Sequence, residues 1–236
     1  MATFLLVHGG WHGGWCWEKL IPLLRAAGQR VIAPDLPGHG ADRTPIAARP
    51  WERYVPSIVA LLDAAPEPVV LVGHSSGGMV ISAAAAERPE RVRTLVYLAA
   101  FLLPAGVVPP QAMRDDHESL LPTALIVDEA AGTVRVDPAR AREVFYHDCS
   151  EADAAWAVQR LQPEPVPPRD AAGAAPAPAS VPRVYIETLQ DRALGPATQR
   201  WMYTTLPCER LFSLPTGHSP FISAPAALAE CLLALA

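Results

Sequence analysis

Val69-Val-Leu-Val72-Gly73-His-Ser75-Ser-Gly77-Gly78-Met79 is the stretch that decides the fold of this chain. Four consecutive apolar residues, Val69–Val72, read as a strand buried on both faces, and the Ala-rich run Met79–Glu87 reads as a helix. Between them lies Gly73-x-Ser75-x-Gly77. At average composition such a pattern arises by chance in roughly one chain in twelve of this length, so alone it says little. Its setting says more. A strand running straight into a helix is the frame of a nucleophile elbow, where a strained turn lifts a serine hydroxyl off the sheet edge and onto a helix N-terminus. Glycines flank the serine because so tight a turn leaves no room for β-carbons. The bland alternative is a glycine-rich turn with an N-capping serine.

Outward from the elbow, Thr3–Val7 is another buried strand, ending in His8-Gly9-Gly10. Trp15 to Ala27 has helical spacing in Trp17, Leu20, Leu23 and Leu24, and stops at Gly28. Arg30–Ala33 is a strand, Tyr54–Ala65 a helix and Thr94–Ala99 a strand. The rhythm breaks near Leu102 and resumes at Arg183 with strand Val184–Glu187, helix Ala197–Leu206, strand Arg210–Ser213 and helix Ala226–Leu235. Strands alternating with helices predict an α/β fold, a mostly parallel sheet with helices on both faces. Residues 1–101 and 183–236 form the expected core, and 102–182 an inserted helical cap. The insertion holds weak helical patterns at Ala141–Tyr146 and Ala152–Leu161. Pro163–Pro168 is expected as extended polyproline-like chain, with a disordered linker as the other reading.

Composition narrows the class. The 236 residues are 50% hydrophobic and 18% charged, which excludes a disordered chain. Net charge is −5 and Lys19 is the one lysine, so no basic face for nucleic acid is expected. Arginine, alanine and 26 prolines give the look of a GC-rich bacterial coding sequence. No Lys or Arg precedes Lys19, no apolar run reaches membrane-spanning length, and Cys16, Cys149, Cys208 and Cys231 are far apart. A cytoplasmic protein with reduced core thiols is expected.

A nucleophilic Ser75 needs a base and an orienting acid, in chain order serine, acid, histidine. Of the histidines well beyond the elbow, His147 falls in the insertion. His218 follows strand Arg210–Ser213 in the Gly/Pro-rich loop Leu214-Pro-Thr-Gly-His-Ser-Pro220, at a carboxyl end of the sheet, and is the expected base. Asp191, in a loop just past strand Val184–Glu187, is the expected acid, and Glu187, held in the strand, the alternative. The oxyanion needs backbone N–H donors, and Ser76 and Gly10 are the candidates. Trp17 reads as core, whereas Trp11 could line a pocket with Phe101, Phe145, Trp156 and Phe221. His12, His39 and His74 read as turn hydrogen-bonders, since no cysteine or carboxylate is spaced to join them at a metal.

The chain resembles the α/β-hydrolases of the plant methylesterase and hydroxynitrile lyase group and their bacterial esterase relatives. The resemblance rests on VHGGWHGGWCWEKLIPLLRAAG from Val7, DLPGHGAD from Asp35, VGHSSGG from Val72, LAAFLLPAG from Leu98, VYIETLQDRAL from Val184 and LPTGHSPFISAP from Leu214. It covers both ends of the chain and not the segment from about Val107 to Pro182. It implies the triad Ser75, His218 and Asp191, an oxyanion hole at Gly10 and Ser76, and a helical cap over an apolar pocket. The cyanohydrin-cleaving members carry a threonine after the first-loop histidine and a lysine after the catalytic histidine. Gly9 and Ser219 stand there in this chain.

The reading is a serine esterase for a small carboxylic ester with an apolar or aromatic acyl part, working without metal or organic cofactor. A tailoring enzyme for lactone, thioester or C–C bond chemistry, a hydroxynitrile lyase and a non-catalytic binding protein are the alternatives. The expected partner is the small-molecule ester, with no nucleic acid and no membrane; a homodimer stays open.

Overall fold

The computed structural model describes residues 1–45, 50–166 and 175–236. A six-stranded sheet is built from β1 (Thr3–Val7), β2 (Arg30–Ile32), β3 (Val69–His74), β4 (Val92–Leu98), β8 (Arg183–Thr188) and β9 (Arg210–Leu214). The strand order is β2-β1-β3-β4-β8-β9 and every pairing is parallel. Two-residue periodicity splits each central strand between two cores. Phe4 and Leu6 of β1, with Val70, Val72, Val96 and Leu98, pack beneath Trp17, Leu20 and Leu24 and helix α9 (Pro225–Leu233). Leu5 and Val7, with Leu71, Leu95 and Tyr97, pack against α2 (Tyr54–Ala64), α3 (Gly77–Glu87) and α7 (Pro196–Thr205). Burial on both faces is why these strands read as continuous apolar runs rather than alternating ones.

The helix expected over Trp15–Ala27 is in fact two pieces. A 3-10 turn at Gly14–Trp17 is followed by α1 (Ile21–Ala26), which opens with Pro22 in its first turn. Proline has no N–H to close a turn with the residues before it, so one helix cannot run through.

Between β4 and β8 the chain leaves the main sheet. It forms the short α4 (Pro109–Ala112), then α5 (Pro138–Phe145) and α6 (Glu151–Val158), near the two weak helical patterns. It also forms a small antiparallel sheet that the sequence does not announce: β5 (Leu125–Asp128), β6 (Thr133–Val136) and β7 (Glu164–Pro165), in the order β5-β6-β7. Glu164 and Pro165, expected in polyproline-like chain, instead pair with Val134 and Thr133. Pro167 and Pro168 of that expectation lie outside the described residues. After β9, a single turn, α8 (Pro220–Ser223), leads into α9.

No helix among the described residues is long and apolar enough to cross a membrane.

Candidate active site

The elbow is built as the glycine pattern requires. Ser75 has φ of 52°, in the left-handed region, between β3 and α3. For a residue with a β-carbon this conformation costs energy and persists only where the surroundings hold it. Here they do. A β-carbon on Gly77 would lie 2.7 Å from the carbonyl oxygen of His8, and one on Gly73 would lie 2.8 Å from that of Gly77. The Phe101 N–H donates to the Ser75 carbonyl at 3.0 Å, and the Tyr185 hydroxyl brackets the Ala100 backbone next to it.

His218 and Asp191 meet at the same sheet edge. His218 Nδ1 lies 2.7 Å from Asp191 Oδ2, both residues buried. The carboxylate is fixed by four further donors: Thr188 Oγ1 at 2.8 Å, Gln199 Nε2 at 3.1 Å, and the Ala193 and Leu194 amides at 2.7 and 2.9 Å. With its lone pairs taken, Asp191 accepts the His218 Nδ1 proton and leaves Nε2 as the free base nitrogen. Glu187, the alternative acid, is engaged elsewhere, by Ser213 Oγ at 2.7 Å, Arg200 at 3.2 Å and Tyr203 at 3.3 Å. The elbow and the histidine loop touch through His74, whose Nε2 donates to the His218 carbonyl at 2.9 Å. From the inserted segment, Asp148 accepts the Gly217 N–H at 2.7 Å and steadies the same loop.

The first loop presents the other half of the site. Among the described residues, neither the Gly10 N–H nor the Ser76 N–H has an acceptor. His8 sets the orientation of the Gly9–Gly10 peptide. Its Nε2 accepts the Leu36 N–H at 3.0 Å, so Nδ1 carries the proton and donates to the Gly9 carbonyl at 2.8 Å. His12 does the same one peptide on, donating from Nδ1 to the Gly10 carbonyl and accepting the Tyr146 hydroxyl at Nε2, both at 2.7 Å. Both imidazoles stay neutral. Burial, with His39 beside it, lowers His8 to about 3, and burial lowers His12 to about 3. Trp11, at φ of 61°, is held by the insertion from three sides. Its indole donates to the Val134 carbonyl, its N–H to Glu164, and its carbonyl accepts from Gln162.

Of the aromatic candidates, Trp11, Phe145 and Phe221 join one cluster, in which Phe145 meets both His12 and His218, Phe221 meets His12 and His74, and Trp11 meets Phe145. Phe145 lies 5.6 Å from the His218 ring and 5.9 Å from Trp11, and Phe221 lies 4.8 Å from His74. The other two do not join them. Trp156 packs edge-on against Trp15 with Arg160 over its ring, and Phe101 belongs to the core on the opposite face of the sheet. The carboxyl end of β4 is shared by both layers, so nearness in sequence to the elbow does not place Phe101 with the other rings. The tandem roles of His8 and His12, the clamp by Asp148 and the contact of Glu164 with the first loop are absent from the sequence reading. Thr188-x-x-Asp191 and the histidine directly before Gly9-Gly10 are signals that could have found some of them. Glu164, between two prolines, carries none.

The alpha/beta hydrolase family model matches residues 4–231. The pyrethroid hydrolase of Sphingobium wenxiniae is 34% identical, over 98% of this chain and 86% of its own. Methylesterase 18 of Arabidopsis thaliana is 32% identical, over 98% and 95%. Among solved structures, a pyrethroid hydrolase from Sphingobium faniae superposes with a TM-score of 0.86 at 31% identity, covering 99% of this chain and 96% of that one. An elbow serine, a buried histidine–aspartate pair on the same sheet edge and matches of this length leave one assignment: the chain belongs to the alpha/beta hydrolase family, in its methylesterase-like group.

Proposed function

We propose that Ser75, His218 and Asp191 are the triad with which this carboxylic ester hydrolase works, and that the Gly10 and Ser76 amides hold the oxyanion. One observation supports this above the rest: the buried 2.7 Å contact of His218 Nδ1 with an Asp191 that four other donors immobilise. In this reading Ser75 Oγ attacks the ester carbonyl as His218 Nε2 takes its proton. Asp191 stabilises the imidazolium, and the two free N–H groups donate to the carbonyl oxygen on which negative charge gathers. His218 then gives that proton to the departing alkoxide. Water, deprotonated by the same nitrogen, cleaves the acyl-enzyme and regenerates Ser75.

The cluster of Trp11, Phe145 and Phe221, which reaches the base through Phe145, favours an apolar or aromatic acyl part, and the described part of the insertion, residues 102–166 and 175–182, acts as the cap. The names of the relatives, a pyrethroid hydrolase, methylesterases and a carbendazim hydrolyzing esterase of Nocardioides, fit esters of that kind. Four free cysteines fit a cytoplasmic location. Labelling with a fluorophosphonate, read by intact mass, should add one adduct that Ser75→Ala loses, and aryl esters should be cleaved only by the wild type. A protein that takes no label and cleaves no ester would end this reading.

A further inference from the structure

The Glu164 carboxyl has no part in the triad chemistry, yet it sits against the oxyanion loop. Its Oε2 accepts the Trp11 N–H at 3.1 Å, and the position of a β-carbon on Gly10 would lie 2.8 Å from the same oxygen. The placement is fixed from both sides. Glu164 pairs with Val134 in the small sheet. Two residues earlier, Gln162 bonds through its backbone to the Trp11 carbonyl and through its side chain to both Gly40 N–H and Gly40 C=O. An oxygen bound at the Gly10 N–H would be no more than roughly 8 Å from Oε2, given ordinary covalent geometry and a hydrogen bond of normal length.

We propose that Glu164 is a specificity-determining residue that sets the charge of the oxyanion loop: neutral, it leaves the hole at full strength, and ionised, it opposes negative charge in the acyl part of the substrate. The proposal rests on the esterase reading above and adds to it which esters are turned away.

Nothing among the described residues neutralises this carboxyl. Among those residues no lysine or arginine pairs with it. From α2, Tyr54 faces it, and burial together with Glu164 itself raises that phenol and keeps it uncharged. On β6, Val134 points inward beside it, and Arg135 is exposed on the other face. On the neighbouring loop, Asp35 spends its oxygens on the Gly14 and Ala41 amides. From the first loop come the Trp11 N–H and the neutral His12. Burial pushes Glu164 up to about 7, against the pull of the Trp11 amide, so the carboxyl changes charge across the neutral range. With an effective dielectric near 20, one unit charge acting on another changes a rate by about 30-fold at about 8 Å, the limit for an oxygen in the hole, and by about 10-fold at about 12 Å, the reach of an acyl carboxylate a few ångströms beyond it.

The test compares two nitrophenyl esters with one leaving group, the acetate and the hemisuccinate, whose free carboxylate stays ionised throughout. The ratio of kcat/KM for the anionic ester to that for the neutral one is measured from pH 6 to 9. In the wild type it should fall about 10-fold or more as the pH rises. In Glu164→Gln, which keeps an acceptor for the Trp11 N–H, the ratio should be flat, and flat again in Glu164→Met, which keeps neither charge nor acceptor. A purely structural clamp would give Gln and wild type the same flat ratio, and titration of another group would leave the same falling ratio in both. A falling ratio that survives in whichever of the two variants folds, or a flat ratio in the wild type, overturns the proposal. If the wild type cleaves neither ester and Ser75 takes no fluorophosphonate, the esterase reading falls too; cleavage with a flat ratio removes the role of Glu164 alone.

Discussion

A β-carbon on Gly9 would stand 2.7 Å from the Cβ of Ser75. It would also lie 3.0 Å from His74 Nδ1 and 3.1 Å from the His74 carbonyl. The first loop and the elbow therefore pack almost backbone to backbone, and the proposed oxyanion donor and nucleophile hold each other in place.

Any side chain at Gly9 must push one of these loops away. Gly9→Ala and Gly9→Thr should lower kcat by about 100-fold, the order expected when reacting groups are displaced by about an ångström. Overpacking should also cost roughly 1–3 kcal/mol of stability. Steady-state kinetics and urea unfolding report the two effects separately. Near wild-type turnover in Gly9→Thr would show that the contact is soft.

The two acids near the carboxyl end of β8 are distinguished by their partners. Asp191→Asn keeps its shape but can no longer select the tautomer of His218, so turnover should fall roughly 10²–10⁴-fold with little change in unfolding midpoint. Glu187→Gln, whose carboxylate serves Ser213, Arg200 and Tyr203, should keep turnover near that of the wild type. The opposite pattern would exchange their roles.

Stability should drop on mild acidification. Burial lowers His8 and His12 to about 3 and His74 well below the usual range, whereas an unfolded histidine titrates near 6.5. Their contribution is full above pH 6.5. Below it the unfolded chain takes up protons that the folded chain refuses, and about 1.4 kcal/mol per pH unit is lost for each histidine as the pH falls toward the folded values. Glu164, raised to about 7, has the opposite sign. Its neutral form contributes stability that is full below about 4.5 and lost as the pH rises toward 7, which offsets one histidine. The net should be a urea midpoint that falls from pH 6.5 to 5, and His12→Gln should flatten that fall. A midpoint constant over this range would mean that these imidazoles are protonated in the fold.

Tyr146 joins the insertion to the first loop by one hydrogen bond, its hydroxyl donating to His12 Nε2 at 2.7 Å. Tyr146→Phe leaves that buried nitrogen without a donor, and the cost should be about 1–3 kcal/mol in unfolding free energy. The Gly10 carbonyl is the other partner of His12, so kcat should fall as well, with KM less affected. Unchanged stability and turnover would mean that water or a shifted His12 replaces the hydroxyl.

The elbow, six strands of the main sheet and the positions of Ser75, His218 and Asp191 are legible in the sequence because each is local. A buried strand is a short apolar run, and a serine between glycines at its end has few other uses. The small sheet is not legible for the opposite reason. Leu125–Asp128 and Thr133–Val136 are four residues each, and Glu164–Pro165 lies among prolines that cannot donate to a ladder. Its pairing exists because the insertion folds back on Trp11, a contact between residues more than 120 positions apart. Separations of 69, 134 and 153 positions hide Asp148, Tyr146 and Glu164, whose partners lie on loops that only the fold brings near.

Cyanohydrin cleavage needs a positive group near the nucleophile to hold the departing cyanide and a hydroxyl to bind the cyanohydrin oxygen. Ser219, directly after His218, is uncharged and fully buried, and its Oγ has no hydrogen-bond partner among the described residues. Gly9 supplies no hydroxyl, and a β-carbon to carry one would already stand 2.7 Å from the Cβ of Ser75. A cation placed at Ser219 would be buried and unpaired, which costs more than the fold can easily offset. Given mandelonitrile and an aryl acetate under matched conditions, the protein should release phenol at least about 100-fold faster than cyanide, the loss that follows when a single charge-stabilising group is missing. Faster cyanide release, abolished in Ser75→Ala, would reassign the site to lyase chemistry and require a cation that this arrangement does not provide.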